Sequence, residues 1–227
     1  MINGNIEGLS KQILLRLESI HDMSVEREDF LSEEMVLVLC ELTEMTNREL
    51  SVYLNRRGEV MDVSVGEVGQ VSLPSMNLRR SNVRLSGIRC IHTHPGGDGQ
   101  LSGVDLNSLQ ILRFDAMTAI GVQGGRYVNA YTAFLNPPEE VQPYTIYGPL
   151  TMEELCAEAL IREIRRLDPL IVLPQTVETL EEEEERAVLI GLDDRGEGIR
   201  SINELEELAK TAGAKVLYKT TQNRKMP

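Results

Sequence analysis

The chain has 227 residues, of which 41% are hydrophobic and 26% charged, and its formal net charge is -13 at pH 7. These proportions are ordinary for a globular protein with one good core and a smaller second unit. The excess of acidic residues argues against broad contact with nucleic-acid phosphates or with an anionic membrane surface. No apolar run approaches the length of a membrane span.

Cysteine usage bears on the compartment. Cys40, Cys90 and Cys156 are scattered and form no C-x-x-C pair, so neither a disulfide framework nor a thiolate metal site is predicted. The N-terminus lacks the apolar core of a signal peptide. We therefore expect a cytoplasmic protein.

The first half of the chain predicts two helices, a hairpin and a buried strand. Apolar residues at helical spacing behind a serine predict the helices, and alternating or β-branched stretches predict the strands. The predicted elements are helices 10–23 and 32–48, hairpin strands 49–55 and 60–65, a short edge strand 71–74 and a buried strand 86–91.

The buried strand leads into the segment Ile91-His92-Thr93-His94-Pro95. Because side chains alternate along a strand, His92 and His94 are expected on one side. A G-G-D-G turn follows, and Ser102 then has the character of an N-cap, with Asp105 in the first turn of a helix that runs to about Phe114. Two imidazoles and one carboxylate can converge there, a ligand set that suits zinc with a fourth position left for water.

The second half predicts further strands and a change of character near Pro149. The remaining predicted elements are strands 116–122 and 126–136, an amphipathic helix 151–167, an acidic run 181–185, strand 187–192, helix 201–212 and strand 215–218. The predicted fold class is α/β: a mixed sheet flanked by helices, then a linker helix, then the start of a small parallel βαβ domain. The corresponding boundaries are 1–149, 150–184 and 185–227.

The histidine motif resembles that of the JAMM (MPN-plus) metalloproteases, which include deubiquitinases and RadC-like proteins. It has H-x-H, ten residues, then Asp, with Ser three residues before the Asp. The resemblance implies a JAMM-like sheet, zinc held by His92, His94 and Asp105, an oxyanion contact from Ser102, and cleavage of peptide or isopeptide bonds. An N-cap serine needs no catalytic role, however. Zinc deaminases would need a P-C-x-x-C segment that this chain lacks.

The resemblance also implies a glutamate upstream of the histidines as general base. Five glutamates are candidates: Glu41, Glu44, Glu49, Glu59 and Glu67. Glu49 begins the first central strand directly after a helix, where JAMM proteins keep their base, and Glu67 is the second choice. Any one of them can equally be a solvated surface carboxylate.

The C-terminal segment carries a second resemblance. Residues 185–227, with ERAVLIGLDD and later AGAKVLYKTTQNRKMP, are similar to the opening of the N-terminal domain of HflX-type GTPases, which associate with the ribosome. The resemblance implies that the chain is the front part of a longer GTP-binding protein. GTP and magnesium would bind beyond Pro227, since no G-x-x-x-x-G-K-[ST] motif occurs here.

Two functional classes therefore stand open. The chain is a zinc-dependent peptidase or isopeptidase, or it is a non-catalytic module that regulates the GTPase or docks it to the ribosome. The acidic composition gives no direct nucleic-acid signal. Arg162, Arg165 and Arg166 form a local basic face, but arginines on a helix surface commonly pair with nearby glutamates.

Overall fold

A computed structural model of the chain describes residues 2–66, 84–171, 186–193, 198–211 and 215–223. It divides into two compact units, residues 1–174 and 175–227. The fold is α/β, with a mixed seven-stranded sheet flanked by helices in the first unit and a two-stranded parallel sheet in the second. The predicted fold class is thereby confirmed in its secondary structure and sheet type.

The sheet of the first unit has the strand order β1-β3-β2-β4-β5-β6-β7. Its strands are β1 (Asn3–Gly4), β2 (Leu50–Asn55), β3 (Val60–Val65), β4 (Ile88–His94), β5 (Ala116–Gln123), β6 (Arg126–Leu135) and β7 (Tyr144–Leu150). The helices are α1 (Lys11–Ser19), α2 (Glu33–Thr46), α3 (Gly103–Leu112), α4 (Met152–Cys156) and α5 (Glu158–Leu167), and a 3₁₀ turn spans Ile20–Asp22.

The centre of the sheet is a parallel pair, β4 and β5, with α3 as the connection between them. A strand, a crossover helix and a parallel strand bring the carboxyl end of the first strand close to the start of the helix. Strand β4 is buried on both faces from Ile88 to Thr93, as expected of a central strand. The histidines at its carboxyl end therefore lie beside the N-terminus of α3.

The two faces of the sheet are covered by different helices. Thr93 points towards α2, where its hydroxyl lies 2.6 Å from the hydroxyl of Thr43. His92 and His94 alternate with Thr93 and face the side of Asp105 in α3. The predicted common side of the two histidines is confirmed.

The boundaries differ from the predicted ones in places that have physical causes. Strand β7 was not predicted, because Tyr144–Leu150 is a mostly exposed edge strand interrupted by Gly148 and Pro149. The two-residue strand β1 is too short to leave a pattern. The amphipathic segment 151–167 breaks at Ala157 into α4 and α5, and its apolar side chains lie in the core of the first unit. The predicted edge strand 71–74 and the acidic run 181–185 lie outside the described residues.

The second unit is a single βαβ motif, as predicted. Strands β8 (Arg186–Asp193) and β9 (Lys215–Asn223) are parallel and are joined through α6 (Gly198–Thr211). Among the described residues of this unit, only one side of β8 is covered: Leu189 is 8% exposed, whereas Val188 and Ile190 are 57% and 66% exposed. One helix can cover only one face of a sheet, so the continuous apolar run 187–192 does not make β8 a strand that is buried on both faces. None of the described helices is long and apolar enough to cross a membrane.

Candidate metal centre

Three side chains, His92, His94 and Asp105, meet at the carboxyl end of β4 and form a candidate metal centre. The Nε2 atoms of the two histidines are 3.0 Å apart, and Nε2 of His92 is 3.4 Å from Oδ1 of Asp105. One ligand atom from each residue lies within 4.8 Å of the others. Two ligands of a tetrahedral zinc, each about 2.0–2.1 Å from the metal, lie about 3.3 Å apart. The donor set and its spacing therefore fit a metal ion, and His92 and Asp105 are buried.

The imidazole of His94 is oriented by the loop that follows β4. Its Nδ1 lies 2.9 Å from the carbonyl oxygen of Asp98. A carbonyl only accepts, so Nδ1 carries the proton and Nε2 keeps a free lone pair directed at His92. Such a bond from the second ring nitrogen is the usual way in which a protein fixes a metal-binding imidazole.

Glycines hold this loop against the sheet. A Cβ atom on Gly99 would lie 2.8 Å from the carbonyl oxygen of Ala119, and one on Gly121 would lie 2.7 Å from the Gly99 nitrogen. The side chain of Asn129 accepts the Gly99 N–H at 2.8 Å. Gly99, the last residue of the G-G-D-G run that the sequence predicts only as a turn, is thus closely packed against the sheet in the loop that supports His94.

Asp105 has a second role as part of a helix cap. Its Oδ2 accepts the backbone N–H of Ser102 at 2.7 Å, and its own N–H donates to the Ser102 hydroxyl oxygen at 3.3 Å. Burial raises the pKa of Asp105, but its interactions with His92 and the bonds from Ser102 outweigh this and lower the pKa to about 2. Asp105 is therefore anionic at neutral pH and offers Oδ1 to a cation.

Cys90 lies on the same side of β4, two residues deeper than His92. It is fully buried, and burial raises the pKa of its thiol. A protonated thiol is a poor metal ligand. Cys90 is therefore a core residue.

The structure separates the five candidate glutamates. Glu41 pairs with Arg16 and Glu44 accepts the Gly125 N–H, both from α2 on the opposite face. Glu59 lies in the β2–β3 turn, at the far end of β2 from the histidines, where Asn55 donates to it. Glu67 lies outside the described residues.

Glu49 directly precedes β2 and is 6% exposed. Ser51 pairs with His92 in the antiparallel ladder, and the Glu49 carbonyl accepts the Gly66 N–H at 2.9 Å, so the strand geometry continues one residue before β2. The same register places Glu49 opposite His94, on the face that carries both histidines. Glu49 thus has the position that a base for this centre needs, and its role stays a prediction.

Comparisons with known proteins give no relative for this chain. No family model, no curated protein and no solved structure matches it. The function must therefore be inferred from the metal centre and its surroundings.

Proposed function

We propose that the first unit is a zinc-dependent metallohydrolase of the JAMM type that cleaves peptide or isopeptide bonds, and that the chain is the front part of an HflX-type GTPase. The observation that carries the proposal is the convergence of two imidazole nitrogens and one carboxylate oxygen at a strand end, with the His94 tautomer set by Asp98. The resemblance of the segment with His92, His94, Ser102 and Asp105 to the JAMM motif favours zinc over iron(II), which also accepts two histidines and one carboxylate.

The chemistry divides between the metal and the chain. Zinc, when bound, supplies Lewis acidity and lowers the pKa of water to about 7. Glu49 accepts the proton from the attacking water and delivers it to the leaving amine, the ordinary work of a general base that becomes a general acid. Its burial next to the strand end keeps that proton transfer away from bulk solvent.

The change Glu49→Gln is expected to lower kcat/KM by about 10²–10⁴-fold, because the amide cannot accept the proton. Zinc content should stay the same, since Glu49 is not a ligand. Steady-state hydrolysis of fluorogenic peptide and lysine-isopeptide substrates by the zinc-loaded protein measures the effect. Glu59→Gln is the matched control, because Glu59 is exposed and lies at the other end of β2. Full hydrolysis by Glu49→Gln would remove Glu49 from the mechanism.

Ser102 is suited to stabilise the oxyanion of the tetrahedral intermediate. In the helix cap its hydroxyl oxygen accepts the Asp105 N–H, and the hydroxyl also makes a hydrogen bond that lowers the pKa of the Asp105 carboxyl. A serine hydroxyl has one donor position, so the O–H must turn from the Asp105 carboxylate to the substrate oxyanion when the intermediate forms. The backbone cap uses the acceptor side of the hydroxyl, so this rotation leaves the cap of α3 in place.

A matched pair of variants separates these two roles. Thr151 at the start of α4 makes the same capping box, with Glu154 in place of Asp105. Ser102→Ala and Thr151→Ala are each expected to lower the free energy of unfolding by about 0.5–2 kcal/mol, as measured by urea denaturation. Only Ser102→Ala should also lower kcat, by about 10²–10³-fold, the usual effect of losing one oxyanion donor. An equal kcat in the two variants would show that Ser102 acts only as the N-cap of α3.

The second candidate function is a non-catalytic module that regulates the GTPase or docks it to the ribosome. The specific feature in its favour is the open apolar face of the second unit, where Val188, Ile190 and Tyr218 are all more than half exposed. A zinc-loaded protein with no hydrolytic activity that sediments with ribosomes would favour this function. A reducing compartment such as the cytoplasm accords with the three free cysteines under either function.

A further inference from the structure

The first unit contains a second polar site, a cavity of about 550 Å³. It lies near the start of β4, whereas the metal centre lies at the end of that strand. Arg89 lines the cavity. It is four residues before Thr93 in β4, so the two side chains share a face of the sheet, the opposite face from His92. Four arginines line this arginine cavity, together with two isoleucines of α5: Arg27, Arg56, Arg89, Arg165, Ile161 and Ile164.

Arg89 is an unusual residue because it is a buried cation. It is 2% exposed, and its Nη1 donates to the backbone carbonyl oxygens of Phe30 at 2.7 Å and Asp29 at 3.1 Å. Among the described residues it forms no ion pair, and its buried Nε has no hydrogen-bond partner. The pKa of Arg89 is lowered by burial, to about 10, so the group is still charged at neutral pH.

The carboxylates of the cavity are occupied by other arginines. Arg56 donates hydrogen bonds from Nε and Nη2 to the Asp115 carboxylate. It also donates one hydrogen bond to each carboxylate oxygen of Asp168. Arg165 makes two bonds to Glu28. Four arginines against these three carboxylates leave a surplus of one positive charge in a chain whose net charge is -13.

A guanidinium can bind an oxyanion with two parallel hydrogen bonds either through its Nε and Nη2 atoms or through its two Nη atoms. In Arg56 the Nε and Nη2 atoms bind Asp115. In Arg89 the Nε has no partner, and the one bond of Nη2, to the Asn55 carbonyl, is 3.4 Å long. Arg89 therefore has unused donors, with its Nε buried in the wall of a cavity of the size that holds small-molecule ligands.

We propose that the arginine cavity binds the oxyanion of a small molecule, a carboxylate or a phosphate, with Arg89 as the main contact and Arg27 at the rim. The apolar part of the ligand contacts Ile161 and Ile164. This site is separate from the metal centre and does not depend on the proposed hydrolysis.

The test is a titration of the full chain with inorganic phosphate, and in parallel with acetate, at constant ionic strength. The readout is the NMR signal of arginine Nε–H groups, in which a buried and unpaired Nε–H is well resolved from solvent-exposed ones. Arg89→Lys identifies the Arg89 signal. Arg27→Gln should weaken binding by about two- to fivefold, as expected for a rim charge, whereas the exposed neighbour Arg57→Gln, outside the cavity, should bind as the wild type does.

A saturable shift of the Arg89 signal, with weaker anion binding in Arg27→Gln, supports the site. The anion that binds more tightly identifies the ligand chemistry. If Arg89→Lys folds, the same titration followed at the other arginine Nε–H signals should give binding more than about tenfold weaker, because lysine lacks the planar guanidinium. Absence of any shift overturns the proposal. So does an identical titration of wild type, Arg27→Gln and Arg57→Gln, which would indicate a general ionic effect.

Discussion

Replacement of Asp105 by asparagine is expected to lower the affinity for zinc by more than about 100-fold. Mutation of residues that only hydrogen-bond to metal ligands already lowers metal affinity by about 10–100-fold, and the loss of a ligand itself should have a larger effect. The amide oxygen of the new side chain would still accept the Ser102 N–H, so the cap of α3 and the fold should remain. Its NH2 group has no lone pair to offer in place of Oδ1. Competition with a chelator of known affinity, followed for wild type and variant, measures the loss.

The matched control lies in the same loop. Asp98→Asn makes the same chemical change, but the His94 imidazole bonds to the backbone carbonyl of Asp98 and not to its side chain. Zinc affinity should therefore change little in Asp98→Asn. His94→Ala should lose the metal as Asp105→Asn does. Equal affinity of wild type and Asp105→Asn would mean that the metal, if bound, is bound elsewhere.

Removal of the Arg56 guanidinium is expected to have the largest effect on stability. Arg56→Met leaves the Asp115 carboxylate, whose side chain is 0% exposed, without its ion pair, although the charge of Arg89 still attracts it. Breaking a buried ion pair costs about 3–5 kcal/mol, and the lower end applies here because Arg56 is 46% exposed and water replaces part of its role. Asp168 is 31% exposed and should contribute little. Urea denaturation at neutral pH measures the change.

The loss in Arg56→Met should depend on pH. Burial already raises the pKa of Asp115 in the folded protein, and removal of Arg56 raises that pKa further. A carboxyl group with a raised folded pKa destabilises the fold above that pKa and no longer does so once it is protonated. The difference between wild type and variant should therefore shrink as the pH falls towards about 4. Arg57→Met, which removes an exposed neighbour, is the control. A difference that is constant with pH would show that Asp115 is not the cause.

The local sequence predicts most of the elements that build the metal centre. Alternation along β4 places His92 and His94 on one side, and the Ser-x-x-Asp pattern predicts the start of α3, because both signals act over a few residues. The convergence of the two elements required only that a strand and the next helix be neighbours. That is why the three residues that meet at this strand end could be named from the sequence.

Features that depend on distant packing could not be predicted. The bond from His94 to the Asp98 carbonyl involves a backbone atom, which leaves no trace in residue type. The contact of Gly99 with Gly121 joins residues from the loop and from β5. The arginine cavity gathers residues from five separate parts of the chain, and arginine is ordinarily a surface residue. The burial of Arg89 therefore had no local signal.

Metal content and ligand type test the central claim most directly. The untagged full chain should be purified without added metal, loaded with zinc, and measured by elemental analysis and by X-ray absorption at the zinc edge. We expect about one zinc per chain, with only nitrogen and oxygen ligands at about 2.0–2.1 Å. No zinc retained after loading, iron in its place, or a sulfur ligand at about 2.3 Å would contradict a centre made by His92, His94 and Asp105.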